Sequence, residues 1–207
     1  MIIKVCGMRD ADNIRAIDTL EGVDWMGFIF YPPSSRFVDN VPTYLPQNKA
    51  RVGVFVNETL QSITERMNSF HFNLIQLHGH ETPEFCKQLR DAIGKEIQII
   101  KMIQINEPSD LNSIRQYEGI VDYFLFETKC KEYGGSGKQF DWDILKHYEG
   151  QTPFLITGGI KPADVEKIES FHHPKFAGID LNSGFETAPA MKDPKLIQGF
   201  INKLNRK

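Results

Sequence analysis

The feature that most constrains this chain is a repeat of short apolar runs. They are Ile2 to Val5, Trp25 to Phe30, Arg51 to Val56, Leu74 to Leu77, Ile97 to Ile103, Tyr123 to Phe126, Pro153 to Thr157 and Phe176 to Leu181. All are rich in β-branched and aromatic residues. Their starts lie about 25 residues apart, which leaves room for a strand, a helix and a return loop and is too long for a hairpin. Eight such units favour a closed α/β architecture, a (β/α)8 TIM barrel, over an open doubly wound sheet. With 207 residues the whole chain, 1–207, reads as one barrel domain of near-minimal length.

The intervening segments carry helix signals. Asn57 is an N-cap candidate for Glu58 to Phe70, where Leu60, Ile63 and Met67 fall at helical spacing. Thr82-Pro83-Glu84 reads as cap, first-turn proline and acidic first turn ahead of Phe85, Leu89 and Ile93. Pro108-Ser109-Asp110, Lys161-Pro162-Ala163-Asp164 and Asp193-Pro194 open three more. The segments after Gly7 and after Asp141 have weaker patterns, and Val41 to Asn48 has the weakest. Lys129 to Gln139, between the sixth and seventh strands, is the one stretch long enough for a sizeable active-site loop.

Composition excludes several functions. A net charge of −3 supplies no basic field for nucleic acid. No apolar run approaches the roughly 20 residues that span a bilayer, and the N-terminus lacks a signal segment, so no membrane partner is expected and the chain reads as cytoplasmic. Cys6, Cys86 and Cys130 are odd in number and widely spaced, encoding neither a disulfide framework nor a zinc site. No metal is expected. His78 reads as polar lining, His80 as a surface loop residue, and His172-His173 as solvated on the opposite rim.

In such a barrel, functional groups sit where strands end. Cys6-Gly7, Ser34-Ser35-Arg36, Asn57, Gln76 with His78, Glu127, Gly158-Gly159, and Asp180 with Asn182-Ser183-Gly184 all fall there. Glycines after strands seven and eight let backbone N–H groups approach a phosphate, so Gly158, Gly159, Ser183 and Gly184 form a candidate phosphate corner. Gly134-Gly135-Ser136-Gly137-Lys138 is not a P-loop, because Glu132 and Gln139 stand where that motif needs glycine and Ser or Thr. It reads instead as a lid.

Taken alone, Cys6 is either a buried apolar thiol or a base. Lys4, two residues earlier on the same strand face, favours the thiolate. Glu127 is an isolated carboxyl closing an apolar strand, where desolvation favours the protonated form. A thiolate and a protonated acid across a barrel mouth make a proton-transfer pair.

Seven motifs in order, Lys4-Val5-Cys6-Gly7, Gly27-Phe28-Ile29-Phe30 with Ser35-Arg36, Val52 through Asn57, Gln76-Leu77-His78-Gly79, Gly134 to Gly137 with Phe140-Asp141-Trp142, Gly158-Gly159-Ile160, and Ser183-Gly184-Phe185-Glu186 with Lys192-Asp193, resemble the phosphoribosylanthranilate isomerases of tryptophan biosynthesis. The resemblance implies a cofactor-free Amadori rearrangement of a phosphorylated sugar-anthranilate substrate. It further implies Cys6 as base, Glu127 as acid, Arg36 at the anthranilate carboxylate, His78 in the substrate site, Asp180 near the ribose hydroxyls, and a phosphate held by Gly158, Gly159, Ser183 and Gly184. Glu127 stands where the family pattern has Asp, and its extra methylene moves the carboxyl by roughly 1.5 Å unless the side chain bends. Asn182 stands where the family commonly has Ser. Histidine-pathway aldose-ketose isomerases resemble two fused half barrels with paired aspartates, and no duplication relates residues 1–103 to 104–207. A non-catalytic phosphosugar-binding protein is the alternative from another class. A monomer or a homodimer fits the pattern equally.

Overall fold

In the computed structural model of the protein, residues 1–128 and 139–204 are described. Eight parallel strands close into a barrel in sequential order: β1 Ile2–Cys6, β2 Trp25–Ile29, β3 Ala50–Phe55, β4 Leu74–Leu77, β5 Gln98–Ile105, β6 Tyr123–Thr128, β7 Phe154–Ile156 and β8 Phe176–Leu181. Each overlaps one of the apolar runs. The proposed lid with Gly134 to Lys138, and Cys130, lie outside the described residues.

Alternation along the strands sorts side chains into two cores. Cys6, Trp25, Val52, Val54, Leu74, Ile100, Met102, Leu125 and Leu155 fill the barrel interior. The residues between them, including Ile3, Val5, Phe28, Phe55, Ile75, Leu77, Phe124 and Phe126, join the larger core between sheet and helices. Phe28 and Phe30 therefore belong to the outer layer, where both rings pack near Phe70 and Phe72. The same parity turns Lys4, Gln76, Glu127 and Asp180 inward with the interior set. All four are buried polar groups, which persist only when they are paired or meet a ligand.

The outer layer is less regular than the sequence implies. The α-helices are α1 Ala11–Asp18, α2 Leu60–Phe70, α3 Pro83–Ile93, α4 Val165–Ser170 and α5 Pro194–Leu204. Pro108–Tyr117 and Trp142–His147 form 3-10 helices, closed by bonds such as Asp110 N–H to the Glu107 carbonyl and Ile144 N–H to that of Asp141.

Three local expectations are corrected. Thr59, not Asn57, caps α2, accepting from Ser62 N at 3.2 Å. Asn57 lies in the left-handed region (φ 50°), and its side chain accepts from His80 N at 2.7 Å. Val41 to Asn48 forms no helix. Prolines 42 and 46 interrupt it, and the Asp18 carboxylate draws its backbone in, accepting from Gln47 N at 2.9 Å and Asn48 N at 3.1 Å. His173 is half-buried rather than solvated. Its Nε2 donates to the Tyr148 carbonyl at 3.0 Å, while Nδ1 accepts from Lys175 N at 3.0 Å.

An unforeseen hairpin, β9 Glu186–Ala188 with β10 Met191–Lys192, follows β8. Both Asn13 side-chain polar atoms grip the Lys192 backbone, at 2.8 and 2.9 Å, and so staple the hairpin to α1.

Candidate active site

At the C-terminal mouth of the barrel one pocket collects Cys6, Arg36, His78, Glu127, Gly158, Gly159, Asp180, Ser183 and Gly184. Ile29, Val54, Val56 and Ile160 supply an apolar wall, and Gln76, Thr157 and Asn182 add polar lining. All nine candidate residues thus meet in one place, although they come from six strands and their loops.

Lys4 and Asp180 are register partners across the β1–β8 seam that closes the barrel. Their side chains meet at 2.8 Å, with Lys4 fully buried and Asp180 nearly so. Burial works against the Lys4 ammonium, but the Asp180 carboxylate and then Cys6 outweigh it and raise the Lys4 pKa, so the lysine stays charged. Asp180 Oδ1 has no hydrogen-bond partner among the described residues. A buried acceptor left open in a pocket floor is suited to a ligand hydroxyl.

Burial pushes the Cys6 thiol up, and Asp180 adds to that. Lys4 and Lys192 pull it down without cancelling it. The sequence reading that Lys4 favours the thiolate therefore has the right sign, but desolvation outweighs it. Gly27 makes the space: a Cβ there would lie 2.8 Å from Cys6 Sγ and 3.2 Å from Lys4 Nζ.

Glu127 is not isolated. His78 Nε2 lies 3.1 Å from its Oε2, and Gln76 Nε2 lies 2.9 Å from His78 Nδ1. An amide nitrogen only donates, so Nδ1 accepts and Nε2 carries the hydrogen that reaches Glu127. This chain of bonds holds the Glu127 carboxyl in place. A Cβ on Gly158 would lie 3.5 Å from the Glu127 Cγ, an ordinary contact, so what calls for glycine there is the φ of 91°.

Arg36 is held by a partner the sequence does not reveal. Its Nε and Nη2 donate to Glu186 Oε1 and Oε2 at 2.9 and 2.6 Å, a bidentate pair, and its stem lies over Gly7. Two of its three nitrogens are thereby committed, leaving Nη1 for a ligand. Burial works against the Glu186 carboxylate, but bonds from Arg36 and Lys192 hold its pKa below the usual range. Glu186 and Lys192 stand within the sequence motifs, but nothing in their spacing assigns them a role. Among the described residues no group of three or more His, Cys, Asp or Glu is placed to hold a metal.

The family model described as N-(5'-phosphoribosyl)anthranilate (PRA) isomerase matches residues 3–203. The chain belongs to the phosphoribosylanthranilate isomerase family. A family relative from Phocaeicola vulgatus, named N-(5'-phosphoribosyl)anthranilate isomerase, is 53% identical over 207 residues, covering 100% of this chain and 99% of its own. Among solved structures of the family, that of monomers generated from the dimeric Thermotoga maritima enzyme superposes with a TM-score of 0.80 at 28% identity, covering 99% of this chain and 98% of that one. A phosphoribosylanthranilate isomerase in complex with reduced 1-(o-carboxyphenylamino)-1-deoxyribulose 5-phosphate matches with a TM-score of 0.79 at 27% identity, covering 99% and 98%.

Proposed function

We propose that Cys6 and Glu127 carry out, in this chain, the isomerisation of its family, the Amadori rearrangement of N-(5'-phosphoribosyl)anthranilate in tryptophan biosynthesis. The observation that carries the assignment is that a thiol on β1 and a carboxyl on β6 line one pocket, across a barrel mouth walled by apolar side chains.

Glu127 donates a proton to the furanose ring oxygen as the C1'–O bond breaks, leaving a Schiff base between C1' and the anthranilate nitrogen. The Cys6 thiolate then removes the C2' proton, and its electron pair neutralises the iminium to give an enolamine. Transfer of the enol proton to C1' yields 1-(o-carboxyphenylamino)-1-deoxyribulose 5-phosphate, and return of the C2' proton from the Cys6 thiol to the Glu127 carboxylate by way of solvent restores both groups. Every atom is conserved, and the chemistry calls for no redox partner. His78, which lines the same pocket, holds the Glu127 carboxyl at 3.1 Å.

Gly158, Gly159, Ser183 and Gly184 receive the phosphate through backbone N–H groups. Asp180 Oδ1 and Gln76 Oε1, the two buried acceptors without partners among the described residues, accept from sugar hydroxyls. Arg36 Nη1 meets the anthranilate carboxylate, and Ile29, Val54 and Val56 receive the ring.

A single barrel domain, 1–207, carries the reaction in the cytoplasm without a nucleic-acid or membrane partner. No helix among the described residues is long and apolar enough to cross a membrane. The chain works as a monomer or as a homodimer, the Thermotoga maritima relative being described as dimeric. Assay of Glu127→Gln against N-(5'-phosphoribosyl)anthranilate tests the acid. General acid catalysis is worth about 10²- to 10⁴-fold, and kcat should fall by that order. A kcat within threefold of wild type would remove Glu127 from the mechanism.

A further inference from the structure

Taking Cys6 as base and Arg36 as carboxylate anchor, we propose that Lys192 is a positioning residue of this site: its buried ammonium locks the Glu186 carboxylate that orients Arg36 and completes a cationic shell around Cys6.

Lys192 is among the largest fully buried side chains. Its Nζ donates to Asn182 Oδ1 at 2.7 Å and to Glu186 Oε1 at 2.5 Å. Its backbone is fixed independently by Asn13. A lysine held by its main chain on one helix and by its ammonium in the active site has no freedom to seek solvent. Glu186 accepts from four donors: Arg36 Nε, Arg36 Nη2, Lys192 Nζ and Ala190 N, the last at 3.1 Å. Between two cations the carboxylate cannot follow Arg36 if the guanidinium moves, so the arginine turns on a fixed hinge.

Charge balance gives the second part of the role. Lys4, Arg36 and Lys192 interact electrostatically with Cys6, and the carboxylates paired with them are Asp180 and Glu186. Burial lowers the Lys192 pKa, and Glu186 and Cys6 oppose that without cancelling it; with its ammonium in place, three cations face two anions, and the surplus positive charge matches one thiolate. Without Lys192 the same groups would be neutral, two cations facing two anions, and a Cys6 thiolate would stand without a compensating charge. The other titratable groups lining the pocket are Tyr31, His78 and Glu127, and the last two are paired with each other at 3.1 Å. Lys192 lies outside the pocket lining, so it acts through Glu186 and through its charge without touching the substrate.

The test compares Lys192→Met and Glu186→Gln with wild type in two measurements. One is the pH midpoint of Cys6 alkylation by iodoacetamide, resolved by peptide mapping and made without substrate. The other is KM for N-(5'-phosphoribosyl)anthranilate. Lys192→Met should raise the midpoint, slowing alkylation at pH 8 at least about threefold, because a cation near the thiolate is gone. It should also raise KM about tenfold as Arg36 loses its fixed partner. Glu186→Gln, which keeps the ammonium and the side-chain shape, should raise KM similarly without raising the midpoint. A merely structural lysine would lower thermal stability and move neither quantity in this pattern. Either measurement remaining at its wild-type value in folded Lys192→Met overturns the proposal. Should that variant not fold, Glu186→Gln decides alone, and an unchanged KM overturns it. Full turnover by Cys6→Ala would instead strike the assignment of the base, and it leaves the alkylation result readable.

Discussion

Cys6 sits where burial and charge pull in opposite directions. Desolvation holds the thiol protonated, while Lys4 and Lys192 favour the thiolate and Asp180 opposes it. Asp180 thus does two things at once, neutralising Lys4 and restraining Cys6. Asp180→Asn should leave the Lys4 ammonium buried without its anion and cost about 3–5 kcal/mol of stability in urea unfolding. The same variant should lower the alkylation midpoint of Cys6. A stability loss below about 1 kcal/mol would mean the pair carries little of the seam. At this scale the sequence is informative where neighbours are local. Lys4 and Cys6 share a face because strand parity puts them there. The Arg36–Glu186 pair, 150 residues apart in sequence, is invisible until the barrel closes, and so is the His78–Glu127 contact.

Strands and loops differ in how far their sequences determine them. Each strand is mostly apolar on both faces, since one side meets the interior and the other the helices, and such runs stand out. The 3-10 segments do not, because a few apolar residues over one or two turns fit either helix type. The β9–β10 hairpin is hidden for a similar reason: Glu186–Ala188 and Met191–Lys192 are too short for alternation to register. Yet that hairpin carries Glu186 and Lys192.

Gln139 shows a comparable economy next to the proposed phosphate corner. Its Nε2 donates to the Gly159 carbonyl at 3.0 Å and to Asp164 at 2.6 Å, and its Oε1 accepts from Lys167 at 2.6 Å. Gln139→Ala should release the glycine turn and raise KM by about tenfold, the worth of one or two hydrogen bonds, with a smaller change in kcat. Steady-state kinetics decide it. An unchanged KM would show that the turn holds its shape without Gln139.

The whole molecule gathers carboxylates that are bonded in the fold. Burial opposes ionisation of Asp18, Glu118 and Glu186, but hydrogen bonds outweigh it and depress each pKa. A depressed pKa contributes stability that is present above the unfolded value of about 4 and lost as pH falls through the folded value. On the alkaline side burial raises Cys86 to about 11. That contribution is complete below an unfolded value of about 8.5 and lost as pH rises toward the folded one. Tm by calorimetry should therefore be level from about pH 5 to 8 and fall on both sides. Glu118→Gln should lower the plateau and soften the acid limb, and an unchanged acid limb would assign acid unfolding to other groups.

The architecture itself was legible from eight apolar runs, and the location of the pocket followed from the rule that barrels act at strand ends. What the fold adds is the electrostatic setting of one thiol. The most direct measurement is the turnover of Cys6→Ala on N-(5'-phosphoribosyl)anthranilate, made alongside its affinity for the reduced product analogue. The expected result is a kcat lower by about 10²-fold or more with analogue binding within a few fold of wild type. Turnover at the wild-type rate in Cys6→Ala would contradict the account.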